Sequence, residues 1–174
     1  MPVILETERL RLRMFTIADA GFVLELLNTP SWLQYIGDRG IKTLEQAQTY
    51  LANGPIMSYT AYGFGLYLVE LRDKGIPIGM CGLLKRNYLD HMDIGYALLP
   101  AYEGQGYALE IAAATMNYAF TKLHLMHMAA ITDTGNERSV KLLEKLGFKL
   151  KELIVIENKD LHLFIRDAQT YKLN

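Results

Sequence analysis

Leu10, Leu12 and Met14 alternate with Arg9, Arg11 and Arg13 near the start of the chain. A period of two is that of a strand with one buried face, so a strand is expected over 8–14 with its arginine face in solvent. The period then lengthens. Phe22, Val23, Leu26 and Leu27 form one helical stripe, entered through Thr16 as N-cap with Asp19 in the first turn, and Asn28-Thr29-Pro30 is expected to end it. The stretch 31–40 keeps neither period and contains Gly37 and Gly40, which predicts a loop with at most one helical turn. Thr43 and Gln46 make a capping box for a second helix over 44–51, closed by Asn53-Gly54-Pro55.

Three strand patterns follow at 63–71, 76–86 and 91–99, separated by turns at 72–75 and 87–90, and they predict an antiparallel meander. Pro100 stops the third. A glycine-containing turn at 103–108 then leads into a long apolar helix over 106–122 and a short strand over 126–132. Strand, crossover helix and parallel strand make a right-handed βαβ unit. Asn136 caps a last helix with the stripe Val140, Leu143 and Leu146, stopped by Gly147, and a hairpin over 148–157 and 160–167 turns at Asn158-Lys159. The expected class is α/β (α+β): a mixed, mostly antiparallel sheet of about seven strands with about four helices. With no repeat or linker, residues 1–174 read as a single domain.

Composition narrows the function. At 174 residues, 51% hydrophobic and 21% charged, the chain has an ordinary globular balance. A net charge of −1 gives no electrostatic reason to expect nucleic acid or an anionic membrane as partner. Cys81 is the only cysteine, which excludes an intramolecular disulfide and fits a reducing compartment. No apolar run approaches a membrane span, and Glu6 interrupts the first residues before a signal-peptide core could form. The expected location is cytoplasmic.

The turn Glu103-Gly104-Gln105-Gly106-Tyr107-Ala108 joins a strand directly to a helix N-terminus. There the first amides lack intrahelical acceptors and the helix dipole is positive, so small residues can form an anion cradle, although glycines here also serve as plain turn residues. No Lys-Ser/Thr follows the glycines, so the turn is not a nucleotide P-loop.

This turn resembles the acetyl-CoA-binding loop of the GNAT superfamily of N-acetyltransferases, written Gln/Arg-x-x-Gly-x-Gly/Ala. Gly106 and Ala108 match its fourth and sixth positions, whereas Glu103 stands where Gln or Arg is usual. Gly104 to Ala108 with Glu110 follow the version found in the ribosomal-protein N-terminal (Rim-type) branch. An acid beside a pyrophosphate is unfavourable, so the Glu103 side chain is expected to face solvent. The segment from Asn136 to Phe148 resembles a second GNAT motif, and the order of elements is the GNAT order.

The resemblance implies acetyl transfer from acetyl-CoA, with no metal, to a primary amine: a protein N-terminus or a small molecule. The alternative is a non-catalytic acyl-CoA-binding or sensing domain. It implies a splayed pair of parallel strands, with the backbone of Tyr96, Ala97, Leu98 and Leu99 facing the pantetheine arm. The loop at Gly104, Gln105, Gly106, Tyr107, Ala108 and Leu109 would hold the pyrophosphate, and Asn136 would contact the arm. Asp93 reads either as the amine's base or as a surface acid at a strand end, with Glu70, Asp90 and His91 as weaker candidates. The helix tyrosine that many members use to protonate the thiolate is Leu143 here. Ser139 reads either as that acid or as a simple cofactor contact. Cys81, in an apolar strand, reads as a buried thiol. Trp32, Tyr35 and Arg39 would wall the acceptor pocket, with Asp38 as a further polar contact. Either a monomer or a homodimer is compatible with this reading.

Overall fold

A computed structural model describes residues 2–170. Among them eight strands form one sheet: β1 (Val3–Glu6), β2 (Leu10–Arg13), β3 (Leu66–Leu71), β4 (Pro77–Leu84), β5 (Asp93–Leu98), β6 (His127–Asp133), β7 (Lys149–Ile156) and β8 (Lys159–Asp167). Their spatial order is β1-β2-β3-β4-β5-β6-β8-β7, and every neighbouring pair is antiparallel except β5 and β6. The helices are α1 (Ala20–Leu26), α2 (Pro30–Tyr35), α3 (Leu44–Leu51), α4 (Met57–Tyr62), α5 (Tyr107–Thr121) and α6 (Glu137–Lys145). The meander and the βαβ unit lie where the hydrophobic periods put them.

Three elements depart from the sequence reading. Strand β1 adds an eighth strand to the expected seven. Helix α2 occupies part of the expected loop: Thr29 and Pro30, read as a stop, are the N-cap and first residue of a new helix, with Thr29 Oγ1 accepting from the Trp32 amide. Both uses of Thr-Pro share extended backbone at the threonine, so local pattern does not separate them. Asn53-Gly54-Pro55 likewise does not end α3. The chain passes through one widened helical turn over Ala52–Ile56 into α4. Proline has no amide proton to lose, so it is tolerated where the helical hydrogen-bond ladder is already interrupted.

Both faces of the sheet are covered over its central strands. Leu83, Ile94 and Cys81 pack beneath α5 with Ala112, Met116 and Ile111, while Leu66, Leu68 and Met80 pack on the opposite face beneath Val23, Leu26, Trp32 and Leu51. Each fully buried leucine, such as Leu68, contributes about 1.5–3 kcal/mol relative to an exposed one. Strands β3 and β4 come unusually close at Gly82, where a Cβ would lie 2.1 Å from the Gly65 carbonyl oxygen. This forces glycine on the strand beside β5.

The arginine face of β2 is solvated as expected only in part: Arg11 is partly exposed, whereas Arg13 is buried. Arg13 is 8% exposed and meets Asp19 through both terminal nitrogens (3.0 and 2.8 Å) and Glu70 through Nε (3.0 Å). Arg11 pairs with Glu6 and Glu70. Glu70 is therefore committed to this network and is no candidate base. No helix among the described residues is long and apolar enough to cross a membrane.

Candidate active site

The glycine loop is set by two left-handed residues, Gly104 (φ 72°) and Gly106 (φ 81°), the second serving as N-cap of α5. A side chain at Gly106 would be strained by that dihedral and would approach an Arg9 terminal nitrogen at 3.3 Å. The Glu110 amide is bonded to the Gly106 carbonyl. Ahead of it, the amides of Tyr107, Ala108 and Leu109 lack intrahelical acceptors. Arg9 clamps the loop from the β1–β2 side: Nη1 donates to the Gln105 carbonyl (3.0 Å), Nε donates to Glu110 (2.6 Å), and the guanidinium lies 4.4 Å from the Tyr107 ring centre. Thr7 and the Arg9 amide also donate to Glu110. Burial disfavours the Glu110 anion, but these donors outweigh it and hold its carboxyl below the ordinary range. Glu110 thus turns away from the first turn's amides.

Strands β5 and β6 meet through one residue pair, Asp93 and Ala129, and then part. The Leu99 amide donates to Ile78, towards β4. The pairing of β5 with β4 runs without a shift from Asp93 to Leu98. By alternation the main-chain groups of Tyr96 and Leu98 point to the β6 side, into the cleft, and those of Ala97 and Leu99 towards β4. Of the four residues expected to offer backbone to a pantetheine arm, two face that way. The glycine loop stands at the wide end of this cleft.

Asp93 lies at the apex, 1% exposed, and is not a surface acid. Arg86 Nε donates to its Oδ2 at 2.6 Å. Burial outweighs this attraction and raises the carboxyl to about 6, with the Ile131 amide nearby favouring the anion. Its place on the strand beside Gly95 and Ala97 puts it on the α1–α3 face, opposite α5. On the α5 face, the Tyr96 hydroxyl and Ser139 Oγ are 2.7 Å apart, joining β5 to α6 across the cleft. Asn136 caps α6 through Oδ1, which accepts from the Ser139 amide (3.2 Å), so its Nδ2 takes no part in the cap. Leu143 is 1% exposed and packs in the core. Cys81 is fully buried against Thr115, and burial raises its thiol from 9.0 to about 12. At neutral pH that leaves roughly a thousandfold less thiolate, so a thiol reagent should label the native protein at least a hundredfold more slowly than the urea-unfolded chain.

Glu103 is only partly turned to solvent, with its side chain 30% exposed. Its carboxylate accepts from Arg138 of α6 (2.7 Å) and from Ser31 of α2 (3.2 Å). At its other end, α2 offers the Gln34 and Tyr35 carbonyls to Lys159, which also pairs with Asp133 at the end of β6. Helix α2 is thereby fixed to groups beyond both strands of the cleft. Trp32 is 6% exposed with Nε1 lacking a hydrogen-bond partner, Tyr35 is half-buried, and Arg39 lies on the exposed loop beyond. A groove of about 510 Å³ runs between that loop and α3, past Ile41, Gln46 and Tyr50. Another, of about 700 Å³, lies outside the glycine loop among Arg9, Arg72 and Tyr107. Neither includes the β5–β6 cleft, which the Tyr96–Ser139 contact spans. The His91 ring lies tilted against that of His127, and His127 contacts Asp167. Among the described residues no group of three or more His, Cys, Asp or Glu could hold a metal ion.

The sequence pattern of the family described as "Acetyltransferase (GNAT) domain" matches residues 9–149. The chain belongs to the GNAT acetyltransferase family. An acetyltransferase from Agrobacterium tumefaciens str. C58 is one similar solved structure, with a TM-score of 0.81 at 25% identity over 95% of this chain and 94% of that one. The Bacillus subtilis (strain 168) protein YkkB, uncharacterized, is 31% identical over 167 residues, 94% of this chain and 95% of its own. The fold is shared by RimL, a ribosomal L7/L12 alpha-N-protein acetyltransferase solved with coenzyme A, at a TM-score of 0.81 and 17% identity over 95% of this chain and 98% of that one.

The GNAT fold brings Asp93, Tyr96, Leu98, Asn136, Ser139 and the glycine loop around one cleft. Trp32, Tyr35 and Arg39 do not form one wall, because Trp32 is turned into the core. Arg86 and the Tyr96 hydroxyl escape a sequence reading, since their partners Asp93 and Ser139 are identified only by the fold. Arg9 also escapes it; the one available signal was its place at the start of the alternating arginines.

Proposed function

We propose that this GNAT domain moves the acetyl group of acetyl-CoA to a primary amine by direct attack within a ternary complex. The observation that carries this reading is the β5–β6 cleft: a single pairing at Asp93 and Ala129, then a free β5 edge ending at the glycine loop. A pantetheine arm would bond to the Tyr96 and Leu98 main chain, a pyrophosphate would take the amides of Tyr107, Ala108 and Leu109, and Asn136 Nδ2 would reach the arm. These contacts hold the thioester near Asp93. The amine approaches from the α1–α3 face and loses its proton to Asp93, through a water molecule where the carboxylate is too deep for direct contact. An amide on β5 stabilises the oxyanion. Ser139 meets the departing sulfur. With Cys81 buried and protonated, direct transfer is favoured over an acyl-enzyme intermediate.

The acceptor is a protein N-terminus, as for RimL, or a small amine. Leu143 in the core, where many members have a tyrosine, favours as a second reading a domain that binds acyl-CoA without turnover. Thiol release from acetyl-CoA, measured against N-terminal peptides and small amines, separates them. Amine-dependent release is expected; tight acetyl-CoA binding with no release across the panel would favour the second reading. Gly106→Val should weaken acetyl-CoA binding by at least about tenfold in calorimetry, because a left-handed β-branched residue costs more than about 1–2 kcal/mol. Unchanged binding would remove the loop from the site.

A further inference from the structure

Tyr96 and Ser139 stand on separate elements 43 residues apart, yet their hydroxyl oxygens lie 2.7 Å from each other in a part-buried contact. Two hydroxyls bring two protons, and their mutual hydrogen bond uses one. Among the described residues neither oxygen has another hydrogen bond, so the second proton has no protein acceptor. A helical serine often folds its proton back onto the carbonyl four residues earlier. Ser139 makes no such bond, and its amide is engaged by Asn136. The Tyr96 ring is held beneath α5, between two parts of the core. Its hydroxyl therefore arrives at Ser139 from a fixed direction.

A phenol is a better donor than acceptor, because its lone pair is shared with the ring. We propose that Tyr96 is a positioning residue: its hydroxyl donates to Ser139 Oγ and so directs the serine proton into the β5–β6 cleft, towards the sulfur of the thioester. This inference rests on the reading of that cleft as the acetyl-CoA site. It also accounts for Leu143, since the phenol that many GNAT members bring from the last helix is here supplied by the strand and acts through a serine.

The step balances without a second reagent. The amine nitrogen forms its bond to the carbonyl carbon and gives its proton to the Asp93 side. The tetrahedral intermediate collapses, the C–S bond breaks, and its electron pair settles on sulfur. Ser139 O–H donates a hydrogen bond to the growing thiolate while Tyr96 holds the serine oxygen. Neither hydroxyl loses its proton, and the thiolate takes one from solvent on release. Burial raises the Tyr96 hydroxyl well above its usual value, which suits a group that must keep its proton.

The test uses the full chain with the best acceptor of the amine panel, comparing Tyr96→Phe, Ser139→Ala and the double variant. We expect kcat to fall about a hundredfold for S139A, the low end of the range for losing assistance to a leaving group, and only about tenfold for Y96F, which acts through the serine. The KM for acetyl-CoA should stay within about twofold of wild type, as for an interaction made only in the transition state. The double variant should match S139A, because a residue acting through Ser139 has nothing left to position. In a Ser139→Thr background, which keeps a hydroxyl, Y96F should again cost about tenfold. A double variant that falls about a thousandfold would show independent or merely structural roles and overturn the inference, as would a Y96F enzyme equal to wild type. Calorimetric acetyl-CoA binding confirms that each variant is folded. Absence of turnover in the wild type would instead remove the underlying assignment of activity, and this inference with it.

Discussion

Replacing Asp93 with asparagine should lower kcat by about 10²–10³-fold with the best amine while leaving acetyl-CoA binding within a few-fold of wild type. Asparagine keeps the shape of the side chain but cannot accept the amine's proton. The pH profile carries the sharper signature. Burial raises the Asp93 carboxyl from 3.8 to about 6, and a base must be ionised to work. The wild-type rate should therefore rise with pH through about 6 and level off above it, and D93N should lose that limb. A D93N enzyme with a wild-type rate and the same limb would assign both to another group, leaving Asp93 as the structural partner of Arg86. Such tuning would suit a base at neutral pH: the Asp93 carboxyl is mostly ionised, yet binds a proton more tightly than a solvated aspartate does.

Arg13→Met should destabilise the fold by about 3–5 kcal/mol, read as a lower midpoint of urea unfolding. The change preserves bulk but leaves Asp19 and Glu70, both nearly buried, without the guanidinium between them. Marginal stabilities run to only about 5–15 kcal/mol, so this is a large fraction. Lysine at the same position keeps the charge but not the planar fork that meets Asp19 through two nitrogens, and should recover only part of the loss. Acidity gives an independent check. Burial penalises the Asp19 anion, but Arg13 and Thr16 more than offset this and hold its pKa below 3.8. A depressed folded value stabilises the protein above the unfolded value and is lost as pH falls through the folded one. The wild type should show this loss below about pH 4, and R13M should show less of it because its Asp19 lacks the cation. An unchanged urea midpoint would mean that water replaces Arg13 at no cost.

What the sequence made legible follows from the range of the interactions involved. The meander, the βαβ unit and the glycine loop arise from periods and turn residues close together in the chain, and the loop's small residues are visible in the string. Thr43 and Gln46 likewise marked the start of α3 correctly. Where one local signal serves two structures, the reading failed: Thr29-Pro30 begins a helix as readily as it ends one, and Pro55 is carried through a widened turn. Burial was the other blind spot. Nothing near Asp93 states that β6 will cover it, and the alternation that exposes Arg9 also places Arg13 among carboxylates from 6 and 57 positions away. The Tyr96–Ser139 contact is of the same kind. Each residue was singled out for a separate reason, and only the fold makes them one group.

The clamp on the glycine loop has a consequence for how this site comes into being. Arg9 and Thr7 reach Glu110 and Gln105 across 96 to 103 positions of chain. Closing so long a loop costs entropy that only the assembled sheet repays. The recognisable motif is therefore not a portable ligand-binding peptide: cut out with its own strand and helix, it would keep its glycines and lose the partners that turn Glu110 aside. A ligand held there is bound to the whole domain, and its binding energy is returned as resistance to global unfolding.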